Sequence, residues 1–528
     1  SEEVHEENGI KPGNIASLLG DIAGIQIQQT SAATGNADMR IQGLQGKYTQ
    51  ILRDGMPLFG GYAGSFSILQ IPPLDLQQIE LVKKPKLNKP EKSMTLNYSS
   101  LKEANFNTFF SGRNKQVGYT MYAGTTQQKQ VDVDGDGFSD VPAVKNAFIH
   151  PRFFIYGKDN SNLTLGYTFN YEDRNGGDMQ VLSGTKDAKH QFFIQNKSVR
   201  NTVDLVWEKP LENGGQLTAK TNASWFNRDM ITNVFGMKGK QSSWYSEVSY
   251  SKKYDFHNLV MGLNYNGEQF NKQVPDSSFM PNEAFKTRGG EGYKTPSLFN
   301  AEMDERDYHY LAGYFKNIVS ERSLGYNYDV NYKTKVNGWN LTLNQTFFYN
   351  KVDKPVLLQT VYRESLVCCI PPLFYYANAS QPLVSKGMES YVQAIKAPYE
   401  IYFGYVYTDA RRDYNSSHPQ LPLIAKNKFA TVFAYEFNED FRVGIESSYT
   451  GTQYLDNGTK TDPYLFTAVM LRYNLGKASF VLNCENLFDK RQNKNGSILM
   501  PPFTNPTFPE IWAPLDGRVI NLSMHLKW

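Results

Sequence analysis

Residues 520–528 read INLSMHLKW, in which every second residue is apolar or aromatic and the residues between are polar or charged. This period of two is the pattern of a β-strand with one apolar and one polar face. The same alternation recurs in VGYTMYAG (117–124) and in FRVGIESSYT (441–450). We therefore predict a protein built mainly of long β-strands.

The composition excludes several classes of protein. Of the 528 residues, 40% are hydrophobic, 14% aromatic and 20% charged. A disordered chain would contain few aromatic residues, and a helical membrane protein would need apolar runs of about 18 residues, which we do not find. The 55 Lys and Arg residues nearly balance the 52 Asp and Glu residues, without a concentrated basic stripe. Nucleic acid is therefore not an expected partner.

Strand length and turn length favour a membrane barrel over a soluble sandwich, which would show the same alternation. Many strands reach about 10 residues or more, the length of a tilted membrane crossing. Aromatic residues cluster near strand ends, as in YEIYFGYVY (399–407), and short turns alternate with long ones. We predict an all-β transmembrane barrel, with about 18 strands readable in the sequence. The lumen of such a barrel must hold water or a plug.

The N-terminal region has a different texture, typical of a small mixed α/β unit. NIASLLGDIAGI (14–25) has the apolar spacing of an amphipathic helix, which Gly24 ends. Short strand-like runs follow, among them IQIQQ (25–29) and LQQIELVK (76–83). We predict a plug domain over residues 1–83, a linker over 84–92 and the barrel over 93–528.

Several motifs together resemble the TonB-dependent outer-membrane receptors. MRIQGLQGKYTQILRDGMPL (39–58) is similar to the core of the family's plug, and ENLFDK (485–490) is similar to a segment of its penultimate strand. The chain also ends on an aromatic residue, Trp528, as these barrels do. The resemblance implies a 22-stranded type of barrel in the bacterial outer membrane, surrounded by lipid, with the plug in its lumen. It also implies coupling to TonB of the inner-membrane energy complex.

Three departures from the family pattern matter. Val82-Lys83 runs directly into Lys84-Pro85 where the family has a Gly-rich segment, and about four strands are missing between Gln273 and Tyr293. An open barrel wall would leave unpaired backbone groups in lipid. We therefore predict that the native chain carries further residues at both places. No TonB box is recognisable, so coupling to TonB rests on the family alone.

The function implied by the resemblance is active uptake of a scarce nutrient complex, with a ferric siderophore as the leading cargo. Heme, cobalamin, copper and an oligosaccharide or peptide, in some cases delivered with a surface lipoprotein, remain alternatives. A barrel that only displays adhesive or sensing loops is the rival from another class. We find no Gly-x-Ser-x-Gly, P-loop or HExxH segment in a supporting context, so we predict no enzyme activity.

The segment VDVDGDGFSDVP (131–142) is the sharpest local motif. Asp132, Asp134, Asp136 and Asp140 place carboxylates around two glycines, as a Ca²⁺ loop requires. An EF-hand would need Glu at its twelfth position, which is Ala143 here, so a solvated acidic loop is the alternative. We predict a structural Ca²⁺ in an extracellular loop and no required cofactor.

For the transported ligand, the resemblance places the outer plug loops at the floor of the binding site. The candidates there are Gln45, Tyr48, Phe59, Tyr62 and Phe66. Packing within the plug is the alternative role for the aromatic ones. Arg411 and Arg412, at the end of a strand, are candidates for binding an anionic iron chelate, against a solubilising role at the surface.

The remaining polar residues suggest structural roles. Arg40, Arg53 and Asp54 are predicted to form ion pairs within the plug or with the barrel wall. The histidines lack metal-site spacing, although His190 or His309 could bind heme from loops. The three cysteines cannot supply a disulfide framework.

Overall fold

The computed structural model describes residues 24–58, 62, 69–71, 90–255, 257–273, 283–289, 303–311, 318–361 and 373–528, with the backbone alone for 283–289. The predicted helix over 14–24, the predicted strand over 76–83 and the segment 274–282 therefore lie outside the described residues, apart from Gly24. Two hairpins represent the plug. They consist of β1 (Ile25–Gln29) with β2 (Ala37–Ile41), and β3 (Leu52–Arg53) with β4 (Met56–Pro57).

The second plug hairpin illustrates how local sequence decides local structure. Its two-residue turn is Asp54-Gly55, and both residues have positive φ, 54° and 74°. Asp-Gly is a preferred pair for such a tight hairpin turn, because glycine adopts positive φ without strain and Asp tolerates it. A 3₁₀ turn, Gly46–Tyr48, lies between the two hairpins.

Long antiparallel strands form the barrel. The first group is β5 (Glu91–Ser99), β6 (Glu103–Arg113), β7 (Val117–Gln128), β8 (Ala143–Tyr156), β9 (Asn162–Gly177), β10 (Phe193–Pro210), β11 (Gly215–Thr232), β12 (Gly236–Lys253), β13 (Asn258–Lys272), β14 (Glu283–Gly289), β15 (Arg322–Val336) and β16 (Trp339–Asp353). A separate hairpin, β17 (Val356–Val361) with β18 (Leu373–Asn378), follows. The barrel resumes with β19 (Leu383–Lys396), β20 (Tyr399–Arg412), β21 (Asn427–Glu436), β22 (Phe441–Thr450), β23 (Tyr464–Leu475), β24 (Ala478–Glu485) and β25 (Val519–Lys527).

The ring closes where the last strand, β25, pairs with the first barrel strand, β5, from Asn521–Ser99 to Lys527–Ser93. Nineteen strands follow one another around the ring within the described residues, against about 18 readable in the sequence. Connections at one end are short, as at 157–161, 211–214 and 437–440, whereas the other end carries the long ones, such as 129–142 and 486–518, beside short turns at 100–102 and 233–235. The predicted barrel and the predicted alternation of turns are both confirmed.

The two faces of each strand have opposite chemistry, as the alternation predicts. On β25, Ile520 and Leu522 point outward and are 46% and 54% exposed, whereas Asn521 and Ser523 point into the lumen and are buried. The outer surface of the barrel is thus apolar and its inner surface is polar. No helix in the described ranges has the length and apolar character of a membrane-crossing helix.

One part of the wall differs from the rest. The short β14 pairs with only part of β13, from Tyr265 to Asn271. Beyond that pairing β13 is exposed on both faces, with Val260 at 68% and Met261 at 57%, and β15 is exposed in the same way over most of its length. The nineteen strands from β15 round to β14 alternate in direction, because every described pairing among them is antiparallel. The first and last of these strands, β15 and β14, therefore run in the same direction. This is the position at which the sequence predicts additional strands.

Close contact between plug and wall generates a first prediction. A Cβ at Gly176 on β9 would lie 1.7 Å from the carbonyl oxygen of Ala33 in the plug. Replacement of Gly176 by Val must therefore displace the β1–β2 turn, at a cost of about 1–3 kcal/mol. We expect faster amide hydrogen exchange in residues 30–37 of the purified Gly176→Val variant, measured by mass spectrometry.

The matched control is Gly236→Val on β12, where a Cβ would meet only the Met230 carbonyl oxygen at 3.8 Å. Its exchange in residues 30–37 should equal that of the parent protein. Equal exchange in both variants would show that the plug does not pack against Gly176.

Candidate functional site

The β1–β2 turn of the plug faces the end of the barrel with the long loops. Ala32 packs in a buried cluster with Ile498, Ile511 and Leu515 of the connection 486–518, which we name the β24–β25 loop. Gln28 also donates a hydrogen bond to the Ile511 carbonyl oxygen. The long loop that precedes the last strand therefore covers one turn of the plug.

Of the predicted ligand residues on the plug, Gln45 immediately precedes the 3₁₀ turn Gly46–Tyr48 and Tyr48 is its last residue. Gln45 occupies the N-cap position without a side-chain cap hydrogen bond. The Tyr48 hydroxyl donates to Glu321 Oε1 at 2.9 Å, and its ring packs against a buried apolar cluster that includes Leu383. Tyr48 thus has packing and hydrogen-bonding partners from the barrel side.

Tyr62 is fully buried, which favours the packing role for this residue. Its ring lies 4.9 Å from that of Phe270 and 6.0 Å from that of Phe226, and its hydroxyl donates to the Arg228 carbonyl oxygen at 3.1 Å. Phe59 and Phe66 lie outside the described residues. The structure therefore does not bring the five plug candidates together into one described surface.

The two arginines predicted at the end of β20 occupy different environments. The Arg411 side chain is 59% exposed and pairs with Asp409 at 3.1 Å. Arg412 is buried, pairs with Asp456, and donates from Nε to the His418 carbonyl oxygen at 2.8 Å. Arg412 therefore joins two neighbouring loops, whereas Arg411 remains accessible.

Ion pairs between plug and wall occur at the β3–β4 hairpin, as predicted for Arg53 and Asp54. Asp54 pairs with Arg152 at 3.2 Å. Arg53 Nη2 lies 3.8 Å from Asp204 and 2.6 Å from the Thr168 hydroxyl. Arg40 donates to the Pro422 carbonyl oxygen at 2.9 Å. These contacts position the plug against the wall.

Sequence reasoning missed the buried guanidinium groups of the inner wall. Arg228 on β11 donates to Asn196 on β10 at 2.8 Å and to the Tyr62 carbonyl oxygen at 3.1 Å. Three of these guanidinium groups lie over aromatic rings. The distances from Arg Cζ to the ring centroid are 5.5 Å for Arg228 and Tyr62, 4.7 Å for Arg200 and Phe226, and 5.0 Å for Arg306 and Phe192. Arg200 and Arg228 lie on strands, at positions that the period-two pattern places on the inner face. That pattern was the available sequence signal that these two side chains point into the lumen.

The two histidines considered for heme have other neighbours. His190 Nδ1 lies 2.8 Å from an Asp178 carboxylate oxygen. The His309 ring lies 5.1 Å from that of Phe235. Both histidines thus contact other side chains of the protein, and heme binding by either one stays a prediction.

Three of the four predicted Ca²⁺ ligands come together in the loop between β7 and β8. Asp132, Asp134 and Asp136 each offer a carboxylate oxygen, and these oxygens lie within 4.8 Å of one another. Gly135 and Gly137 have positive φ, 82° and 92°, which allows the loop to fold back over the carboxylates. Asp132 accepts hydrogen bonds from the backbone N–H groups of both glycines.

The fourth carboxylate, Asp140, is buried below the loop and accepts a hydrogen bond from Val133 N at 2.7 Å. Burial raises the pKa of Asp140 to about 7, and it also raises the pKa of Asp136. Desolvation without a nearby cation therefore disfavours the charged state of these groups.

The acidic loop contacts the β24–β25 loop. Asn493 Nδ2 donates to Asp134 Oδ2 at 2.9 Å, and Arg491 Nη1 donates to the Val133 carbonyl oxygen at 3.0 Å. Since the β24–β25 loop also covers Ala32, the acidic loop connects to the plug through one intervening loop.

Two protein-family models match most of the chain. Residues 3–87 match the TonB-dependent receptor plug domain, and residues 92–487 match the TonB-dependent receptor-like β-barrel. The chain therefore belongs to the TonB-dependent receptor family, and its barrel lies in the bacterial outer membrane with the long loops outside the cell. No curated protein sequence matches the chain.

Solved structures share the fold at low sequence identity. The ferric enterobactin receptor PfeA of Pseudomonas aeruginosa, in a mutant form, is 12% identical with a TM-score of 0.74, covering 99% of this chain and 97% of PfeA. The siderophore receptor PirA of Acinetobacter baumannii is 14% identical with a TM-score of 0.65, covering 99% and 97%. The copper transporter OprC is 12% identical with a TM-score of 0.65, covering 98% of each chain.

The different burial of the two neighbouring arginines generates a second prediction. Replacement of Arg412 by Ala leaves Asp456 and the His418 carbonyl oxygen without their partner. We expect a loss of about 1–3 kcal/mol in stability, and faster limited proteolysis in residues 413–426 and 451–463. Arg411→Ala, the matched control, should change stability by less than about 0.5 kcal/mol. Parent-like proteolysis of Arg412→Ala would contradict this structural role.

Proposed function

We propose that this receptor takes up a ferric siderophore across the outer membrane, using energy delivered by TonB. The observation that carries the proposal is a plug held inside a closed barrel and covered by a long extracellular loop, in a chain of the TonB-dependent receptor family. The guanidinium of Arg411, which remains accessible at the end of β20, is of the kind that binds anionic iron chelates through charge-assisted hydrogen bonds and stacking on aromatic groups. The siderophore receptors among the structures of similar fold support the same cargo.

Copper is the second candidate, and a specific observation favours it. Met230, Met237 and Met303 belong to one buried cluster beside the plug. Thioethers are soft ligands suited to Cu(I). The similarity in fold to a copper transporter agrees with this alternative.

A binding titration tests both candidates. The purified protein in detergent is titrated with ferric enterobactin, a ferric hydroxamate, hemin, cobalamin and Cu(I), with tryptophan fluorescence as the readout. We expect saturable quenching at submicromolar concentration with a ferric siderophore. Saturation only with Cu(I) would move the assignment to copper, and no response to any of them would contradict both.

Two controls sharpen this experiment. Trp512 lies in the β24–β25 loop, with its ring 6.2 Å from that of Tyr464, so Trp512→Phe should remove part of the quenching if the ligand binds beneath that loop. In whole cells, uptake of the same ligand should stop when a protonophore collapses the proton gradient. Gradient-independent binding to cells without uptake would favour the adhesive or sensing alternative.

We also propose that the acidic loop binds a structural Ca²⁺. The three clustered carboxylates of Asp132, Asp134 and Asp136 support the proposal. Extracellular Ca²⁺ modules commonly bind with a Kd of about 0.1–1 mM. In isothermal titration of the purified protein we expect such binding, and at least a tenfold weaker Kd for the double variant Asp132→Asn, Asp134→Asn.

The control for the Ca²⁺ titration is Asp159→Asn, which alters an exposed carboxylate paired with Lys209 in a short turn at the other end of the barrel. Its Ca²⁺ affinity should equal that of the parent protein. Unchanged binding in the double variant, or none in the parent protein, would contradict the site.

A further inference from the structure

Two buried glutamates lie between β14 and β15 in sequence, in the described segments 303–311 and 318–321, which form no strand of the barrel wall. Glu305 and Glu321 are each only 3% exposed. Burying a carboxylate is costly unless several donors compensate for the lost water. The partners of these two side chains therefore indicate what the connection does.

Glu305 joins the connection to the plug and to the barrel. Its Oε1 accepts hydrogen bonds from Asn36 Nδ2 at 2.7 Å and from the Thr34 hydroxyl at 3.0 Å, both in the β1–β2 turn of the plug. It also accepts one from Asn196 Nδ2 on β10 at 3.3 Å. Arg228 in turn donates to Asn196 Oδ1, so the carboxylate stands at the end of a chain of hydrogen bonds from β11 and β10. One carboxylate thus collects donors from two other elements.

Glu321 makes a second link to a different part of the plug. Its Oε1 accepts from the Tyr48 hydroxyl at 2.9 Å, at the 3₁₀ turn, and from Val356 N at 2.6 Å, at the start of the β17–β18 hairpin. Lys47 in the same 3₁₀ turn donates to the Val356 carbonyl oxygen at 2.9 Å. The two glutamates therefore hold the plug at two separate turns.

The same connection is attached to the extracellular β17–β18 hairpin. Leu311 forms an isolated parallel bridge with Phe374 on β18. Val319 N donates to Asn378 Oδ1 at 2.9 Å, and Asn378 Nδ2 donates to the Val319 carbonyl oxygen at 3.0 Å. Met303, Tyr308 and Leu311 pack in one buried cluster with Tyr62 of the plug and Tyr376 of β18.

We propose that residues 303–311 and 318–321 form a strap that ties the extracellular β17–β18 hairpin to the outer face of the plug, with Glu305 and Glu321 as its two attachment residues. A movement of the hairpin is then transmitted to the β1–β2 turn through Glu305 and to the 3₁₀ turn through Glu321. Apolar side chains could fill the same space, but they would leave the hydrogen-bond donors of the plug without acceptors and would not orient them. The further step, that ligand capture moves this hairpin, rests on the proposed transport function.

Hydrogen exchange of the purified protein in detergent, without any ligand, tests the strap. A Glu→Gln change keeps the shape of the side chain but removes the negative charge that strengthens these hydrogen bonds. We expect Glu305→Gln to speed exchange at least tenfold in residues 30–37 and little in 46–49. Glu321→Gln should show the reverse, with strand interiors such as 198–206 unchanged in both.

Asp307→Asn is the matched control, because Asp307 lies in the same 3₁₀ turn as Glu305 (Glu305–Tyr310) and accepts no hydrogen bond from the plug among the contacts described for this chain. Its exchange in residues 30–37 should equal that of the parent protein. If Glu305→Gln fails to fold, as judged by the heat-dependent gel shift of barrels, Thr34→Val removes the donor from the plug side and should speed exchange in the same residues. Parent-like exchange in the plug for folded Glu305→Gln and Glu321→Gln, or equal acceleration in Asp307→Asn, would overturn the proposal.

The ligand step is tested separately with ferric enterobactin as the probe. If it binds, exchange in residues 30–37 should change at least threefold in the parent protein and less than that in the double variant Glu305→Gln, Glu321→Gln. An equal change in both would overturn transmission through the strap. If ferric enterobactin does not bind, the proposed cargo fails while the ligand-free exchange still decides whether the strap exists.

Discussion

Backbone hydrogen bonding in lipid is the constraint on which the rest of this structure depends. A strand in the bilayer has no water to satisfy its N–H and C=O groups, so the sheet must close, and here it closes through the pairing of β25 with β5. Closure of so many strands creates a lumen that their side chains cannot fill. The plug, its ion pairs with the wall and the loops that cover it all follow from this wide, rigid cylinder.

Function in this molecule depends on contacts between parts of the chain that are far apart in sequence. The wall contacts the plug through side chains such as Arg152 and Arg228, while the extracellular side contacts it through the β24–β25 loop and the strap. Most of these contacts are polar, as is typical of interfaces that separate and re-form. The plug of this receptor is thus attached at several separate points, largely through hydrogen bonds and ion pairs.

The fold was predictable because its signals are local, whereas the site was not because its contacts are remote. Period-two alternation located strands such as Phe441–Thr450 to the residue. The acidic cluster around Asp134 was also readable, since its ligands are neighbours in sequence. Period two places Arg411 and Arg412 on opposite faces of β20, but the partners of Arg412, which are Asp456 and the His418 carbonyl oxygen, lie in loops that no local pattern predicts. Glu305 likewise reads as an ordinary polar residue until Thr34 and Asn36 meet it across the lumen.

The cover that the β24–β25 loop places over Ala32 has a consequence for biogenesis. The plug, which precedes the barrel in sequence, is covered by a loop that immediately precedes β25, and β25 completes the ring. The contact between Ala32 and this loop can form only when both the plug and the last hairpin have reached their final places. It is therefore a late step of assembly, and it joins the plug to the hairpin that completes the ring.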